Sequence, residues 1–539
     1  MIRINQLKLS VDHGEEQLEQ KICKILKIPK SQLISWKIVR QSIDARKKPQ
    51  LWYVYTVDVS AERERDILKK VNDNNIMLTK EEPYQLPSAN PILKNAHPVI
   101  VGAGPAGLFC AYVLTLSGIS PIVVERGKSV LERRADVEAF WRNGMLDPSS
   151  NVQFGEGGAG TFSDGKLNTL VKDPRGRNRF VLETFVRFGA PERILYESRP
   201  HIGTDILSGV ILQMRTYMQE HGAQFLFSSC MTDYETDGRK IRAVELNHAQ
   251  CIRTGHLVLA IGHSARDTFR MLAAKGDLSM EAKAFAVGFR VEHPQEELNR
   301  LQYGDIWYRR LPPASYKVTY NLRSGMDQKT PDGQAAQRGV YSFCMCPGGY
   351  VVNASSEEKR LAVNGMSYSA RDGANANSAV IVSVSPGDFS GNDALAGVRF
   401  QEQLEEHAFL LGNGQIPQQL FGDFCADRAS TSYGDIRSAT MGASVLTNLR
   451  GLLPGALEDT FIAGMHSFSH SLPGFDREDA VLSGVESRTS SPVRISRDKS
   501  FSAAVSGIYP CGEGAGYAGG IMSAAMDGLK VAEAILQAE

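Results

Sequence analysis

Cysteine is sparse and unpaired in this sequence. Eight are scattered over 539 residues with no CxxC or CxxxxC pair, which argues against zinc clusters and a local redox dithiol and suits reduced thiols in a reducing compartment. Neither sign of charge is in excess. Lys plus Arg and Asp plus Glu both number 60, so no global field draws the chain to nucleic acid or to an anionic membrane. No apolar run approaches the length of a membrane span, and the first residues, MIRINQLKLSVDHGEE, lack the apolar core of a secretory signal. The expected location is cytoplasmic, without an integral membrane segment. An HExxH motif is also missing. His466 and His470 stand four apart, but Pro473 and Gly474 follow closely and no carboxylate completes the set, so no metal site is expected.

Glycine is plentiful, and one glycine loop organises the rest. Val99, Ile100 and Val101 read as a buried parallel strand, followed by Gly102-Ala103-Gly104-Pro105-Ala106-Gly107. In that GxGxxG spacing Gly102 makes the tight turn, Gly104 admits a pyrophosphate and Gly107 seats a helix on the sheet. The phosphates would meet the positive helix end. Leu108, Ala111, Tyr112 and Leu116 recur at helical spacing, Pro121–Val124 supplies a second strand, and Glu125 closes it where a carboxylate accepts ribose hydroxyls and repels a 2′-phosphate. The reading is FAD or NAD rather than NADP. Only one such motif stands out, so NAD(P)H is expected at most as a transient donor.

Before this unit, residues 1–85 read as β-α-β-β-α-β, a ferredoxin-like α+β domain, with 86–96 as linker. The polar link Asp44–Gln50 reads as either an exposed hairpin tip or a contact loop, and the domain is a candidate protein-docking module. After Glu125, Arg126–Arg142 reads as a charged helix. Five glycines fall within Gly155–Gly165, a costly concentration that fits a loop wrapped on a cofactor. Ala223–Ser228 reads as a third parallel strand, Met231–Glu235 and Ile241–Leu246 as antiparallel strands around Asp237-Gly238, and His256–Gly262 as a buried strand that stops at glycine.

This order, GxGxxG, distant acid, β-meander and LVLAIG, resembles the FAD-binding domain of the glutathione-reductase-like flavoproteins, and GIYPCGEGAGYAGGIMSAAMDGLKVAEAI at 507–535 resembles its last strand and helix. More narrowly, FGEGGAGTFSDGKL, RPHIGTD, CMCPGGYVVNASSEE, NGMSYSARDG, ANSAVIV and GVESRTSSPVRI resemble a largely uncharacterised family of bacterial FAD-dependent dehydrogenases. The resemblance implies an α/β fold: a Rossmann-like FAD-binding domain over 97–287 and within 441–539, an inserted α+β substrate domain over 288–440, and the N-terminal domain. It implies FAD held by Gly102, Gly104, Pro105, Ala106, Gly107, Glu125 and Arg126. The loop Gly157, Gly158, Ala159, Gly160 and Thr161 would wrap it, and Met231, Ala260 and Gly262 would line it. Gly512 and Glu513 would meet its ribityl or pyrophosphate part, and Gly520, Ile521 and Met522 its ring.

Chemistry at the ring is less legible, and no catalytic residue is assigned. Cys346, in Cys344-Met345-Cys346, and Arg488, as a carboxylate clamp or a salt-bridge partner of Glu486 or Asp479, are the substrate-pocket candidates. Lys166 could reach the flavin or a phosphate. The expected activity is an FAD-dependent oxidoreductase passing a hydride between flavin and a small organic substrate. A flavin monooxygenase or lipid double-bond reductase, and a non-catalytic FAD-bound docking module, are the alternatives.

Overall fold

The computed structural model describes residues 1–80, 82–323 and 337–538. The three-residue strand Val99–Val101 is almost wholly buried because it is paired on both sides in a five-stranded parallel sheet. Leu257–Leu259 lies on one side and Ile122–Val124 on the other, with Ile508–Pro510 and Gln224–Leu226 at the edges. Such a sheet carries apolar residues on both faces because helices cover both. The helix Pro105–Leu116 starts with proline in its first turn after Gly104, and ten of its twelve residues are buried. It packs against the last helix, Ile521–Leu536.

A meander of Met231–Asp237, Lys240–Leu246 and Gln250–Arg253 sits beside this sheet; its third strand was not foreseen. The charged stretch after Glu125 becomes helical only at Val130–Asn143, where Ser129 and Glu132 form a capping box.

A second, seven-stranded sheet runs in the spatial order Thr319–Arg323, Gln337–Cys346, Asn375–Val384, Phe285–Pro294, Val481–Glu486, Ile416–Leu420 and Ser444–Leu446. It therefore draws strands from both sides of 288–440. Phe285–Pro294 pairs with Asn375–Val384 over ten residues and with Val481–Glu486 on its other edge.

The N-terminal strands Ile2–Ser10, Leu33–Asp44, Trp52–Ala61 and Ile76–Leu78 form their own sheet, covered by helices Glu15–Leu26 and Glu64–Lys70. This unit docks on the body through backbone bonds Gln41 N to Tyr196 O (2.7 Å) and Ser198 N to Gln41 O (2.9 Å), and through an apolar cluster of Leu51, Tyr303, Leu311 and Ala314. No helix among the described residues is long and apolar enough to cross a membrane.

Candidate functional site

Close backbone contacts shape the glycine loop. Gly102 has φ +105°, and a Cβ there would lie 2.3 Å from Ala260 O, while one at Gly107 would lie 1.9 Å from Gly102 O. Any side chain at either position would push strand, loop and helix apart. Glu125 then binds three backbone segments together: one carboxylate oxygen accepts Ala103 N–H (2.8 Å), the other Gly127 N–H and Gly155 N–H (2.9 Å each).

The second glycine loop is held by a residue the sequence analysis missed. Arg133, with no exposed surface, donates to the carbonyls of Asn151, Val152, Gly155, Glu156 and Gly158 at 2.8–3.3 Å. Burial pulls its guanidinium down to about 10, with Glu125 and Glu156 opposing that shift. Glu156 accepts Val130 N–H and Arg215 Nε–H, tying the loop to two helices. Nothing in the charge-rich pattern of Arg126–Arg142 marks one arginine as inward.

These loops border a cleft of about 530 Å³. Gly102, Gly104, Pro105, Ala106, Glu125 and Arg126 line one end, and Arg126 lies 4.4 Å over the Phe154 ring. Gly158, Ala159, Gly160, Met231, Ala260, Gly262, Glu513, Gly520 and Ile521 also line it. Gly107, Gly157, Thr161, Gly512 and Met522 stand behind this wall. Gly157 N–H donates to Ala103 O and Gly512 N–H to Asp527 Oδ2, each at 2.8 Å. The helices beginning at Pro105 and Ile521 both start on the cleft, so two positive helix ends face it.

The opposite wall is the second sheet. Ser342, Phe343, Cys344, Glu486, Arg488 and Thr489 border the cleft, as does Lys166. Arg488 does not present a free guanidinium. It holds Glu405 bidentately (Nε 2.9 Å, Nη2 2.7 Å), bonds Ser264 and Ser356, and approaches Glu357. Its ion-pair partners are therefore Glu405 and Glu357 rather than Glu486 or Asp479. Glu405 also pairs with the buried Arg266, and the two arginines hold its carboxyl well below the usual range despite burial.

The Cys344 and Cys346 side chains part company. A β-bulge between Phe343 and Cys346, with Cys344 at φ +41°, breaks the two-residue alternation, leaving Cys344 accessible to the cleft and Cys346 fully buried against Arg290. Burial still pushes the Cys344 thiol up to about 12, because it lies deep in the cleft. His466 pairs with Asp476 (2.8 Å), and His470 lies beyond the end of the helix Gly455–Phe468. Among the described residues, no three His, Cys, Asp or Glu side chains gather as a metal site.

Residues 284–489 match the family model described as "FAD-dependent protein, C-terminal domain-like", and residues 1–60 match a domain of unknown function, DUF8436. Among solved structures, the chain is similar to an L-amino acid deaminase from Proteus vulgaris (13% identity, 40% of this chain and 64% of that chain, TM-score 0.24). It is also similar to the E. coli quinol fumarate reductase FrdA (10% identity, 82% and 70%, TM-score 0.36) and to CtdE in complex with FAD and a substrate (12%, 81% and 80%, TM-score 0.32). The chain thus spans less than two thirds of the first of these structures. A Clostridium beijerinckii protein, itself uncharacterised, is 46% identical over 99% of this chain and 98% of its own length, and this chain belongs to the same family as that protein.

Proposed function

We propose that this chain is an FAD-dependent oxidoreductase that passes a hydride between flavin and a small organic substrate held against the second sheet. The carrying observation is one continuous cleft that runs from Glu125, past both glycine loops and two helix N-termini, to a wall built by residues 284–489. The residues fit the cofactor. Gly104 and Gly158 leave only backbone where a pyrophosphate would lie.

In this reading Glu125 accepts the adenosine ribose hydroxyls and Arg126 with Phe154 borders the adenine. The N–H groups at the start of Pro105–Leu116 receive the pyrophosphate. Gly520, Ile521 and Met522 bring the second helix start to the ring, where its positive end favours negative charge. When bound, FAD supplies the hydride chemistry; the chain orients it and excludes water. Cys344 and Lys166 face the reacting end.

The test is the visible spectrum of the purified protein, followed by anaerobic mixing with NADH or NADPH. A yellow protein whose flavin is bleached by one of them, or by an organic substrate, agrees with the proposal. A colourless protein that does not take up added FAD refutes it.

A further inference from the structure

The basic side chains that line the cleft fall into two groups. Arg126 pairs with Asp267 and Arg488 with Glu405, whereas Lys166, Arg199 and Lys317 make no ion pair among the described residues. The acids of the cleft do not neutralise these three. Asp164 is held by Arg371, Glu486 lies 3.7 Å from Arg290, Glu513 lies 3.1 Å from His263 Nδ1, and Glu125 takes three backbone N–H groups. The charge left over in the cleft is therefore positive. It is also within reach of a ligand, because Arg199 and Lys317 are exposed and Lys166 is half-buried.

Local structure brings the three together. Residues 165–168 run antiparallel to 198–202: Leu167 N–H donates to Pro200 O (2.9 Å), Ile202 N–H to Gly165 O (3.1 Å), and Lys166 stands opposite His201. Opposed residues in such a pair share a face, as do residues two apart on one strand, so Lys166 and Arg199 look the same way, onto the cleft. Arg199 Nη1 donates to Ser315 O (3.1 Å) and to Ser315 Oγ, which ties in the segment that leads to Lys317. Val318 then exchanges two bonds of 2.9 Å with Ser342, and this register sets Lys317 beside Phe343, next to Cys344. Burial raises the Cys344 thiol, and Lys166 is close enough for its charge to oppose that rise.

Arg199 uses one terminal nitrogen on Ser315. Its Nε–Nη2 edge is unoccupied among the described residues, and with that same edge Arg371 holds Asp164 and Arg177 holds Glu533. The edge matches a carboxylate or a phosphate, and the two ammonium groups add charge without a strict direction. A cleft carrying one sign of charge also concentrates ligands of the other sign. A single exposed lysine would mean nothing of the kind; three cations from three segments, in a cleft whose other charges are all engaged, do.

We propose that Lys166, Arg199 and Lys317 form a subsite for an anionic group, a carboxylate or a phosphate, of the organic substrate. The subsite holds the charged end of that molecule at the second sheet, beside Cys344. It rests on the flavin reading only in calling the ligand a substrate of that chemistry. FAD carries phosphates of its own, so the test is run with the cofactor's place filled.

The protein is incubated with excess FAD in a phosphate-free buffer and titrated calorimetrically with succinate, with inorganic phosphate and with the neutral succinamide. At least one of the two anions binds, the tighter naming the group, and succinamide binds at least about tenfold more weakly than succinate. Arg199→Gln and Lys317→Gln each weaken the anion about threefold, and together about tenfold, as expected for exposed charge contacts. Binding of FAD is unchanged in the double variant, and melting temperatures establish that the variants fold.

No binding of either anion, succinamide binding as tightly as succinate, or anion affinity indifferent to the double substitution overturns the subsite. So does weaker FAD binding in the double variant with anions bound only after FAD is removed, which gives the cations to the cofactor's phosphates. A protein that takes up no FAD but binds the anions with this dependence on Arg199 and Lys317 refutes the flavin reading and leaves the anion subsite standing.

Discussion

A Cβ at Gly528 would lie 2.1 Å from the carbonyl oxygen of Ala106, so the first turn of Pro105–Leu116 and the middle of Ile521–Leu536 cross backbone against backbone. This crossing aims both helix starts at one cleft. Gly528→Val must separate the two helices, because the atom it meets is backbone and cannot turn aside. The expected cost is about 1–3 kcal/mol of stability, together with weaker FAD binding as the two helix ends move apart. Urea unfolding and FAD titration measure the two effects. Stability and affinity both at wild-type level would contradict the role of the crossing.

Arg133 joins five loop carbonyls through one guanidinium. Arg133→Met keeps much of the side-chain volume but leaves the carbonyls of Asn151, Val152 and Glu156 without this donor, while those of Gly155 and Gly158 keep the N–H groups of Gly158 and Thr161; the protein is expected to lose at least about 3 kcal/mol and to release FAD. Arg133→Lys offers fewer donors in no fixed plane, so it should fall between the two. The order wild type, Lys, Met in urea midpoint is the check.

The contrast between Gly102 and Arg133 explains what was legible in the sequence. Gly102, Gly107 and Glu125 sit within one βαβ unit, where spacing alone specifies turn, helix and strand end. Arg133 lies in a run of charges, and sequence records its charge but not that it points inward. The ion-pair network of Arg266, Glu405 and Arg488 was hidden for another reason. Its members come from distant parts of the chain and meet only when the second sheet closes on the first. Cys346, a pocket candidate, lies outside the cleft because a bulge that the sequence does not mark turns Cys344 toward it instead.

Two buried histidines make stability depend on pH. Burial pushes both His201 and His293 down to about 4, and His293 Nε2 lies 2.7 Å from Phe475 O, a bond the neutral ring makes by donating. The unfolded chain takes up these protons near pH 6.5, whereas the folded one does so only near 4. Their contribution is therefore complete above about pH 6.5 and is lost as pH falls toward 4. For His293 the loss at pH 5 is about 2 kcal/mol. His293→Gln retains a donor for Phe475 O without the titration, so its fall in urea midpoint between pH 7 and pH 5 should be smaller than the wild type's. An equal fall would place the pH dependence elsewhere.

Glu125 has two duties that a suitable pair of ligands can separate. Its carboxylate ties Ala103, Gly127 and Gly155, and in the proposed complex it also accepts adenosine ribose hydroxyls. Alanine would empty the position and loosen all three segments, so it cannot isolate the ribose contact. Glu125→Gln keeps the shape and one oxygen, but it sets an amide donor against either Ala103 N–H or the N–H groups of Gly127 and Gly155, and it removes the charge that the ribose hydroxyls meet. The expected result is at least about tenfold weaker FAD binding and a loss of about 1–2 kcal/mol in stability. FMN has the ring and ribityl phosphate but no adenosine, so its affinity should change much less than that of FAD. If FMN and FAD weakened by the same factor, the substitution would be acting through loop geometry alone, and Glu125 would be a structural tie rather than the anchor of the adenosine ribose.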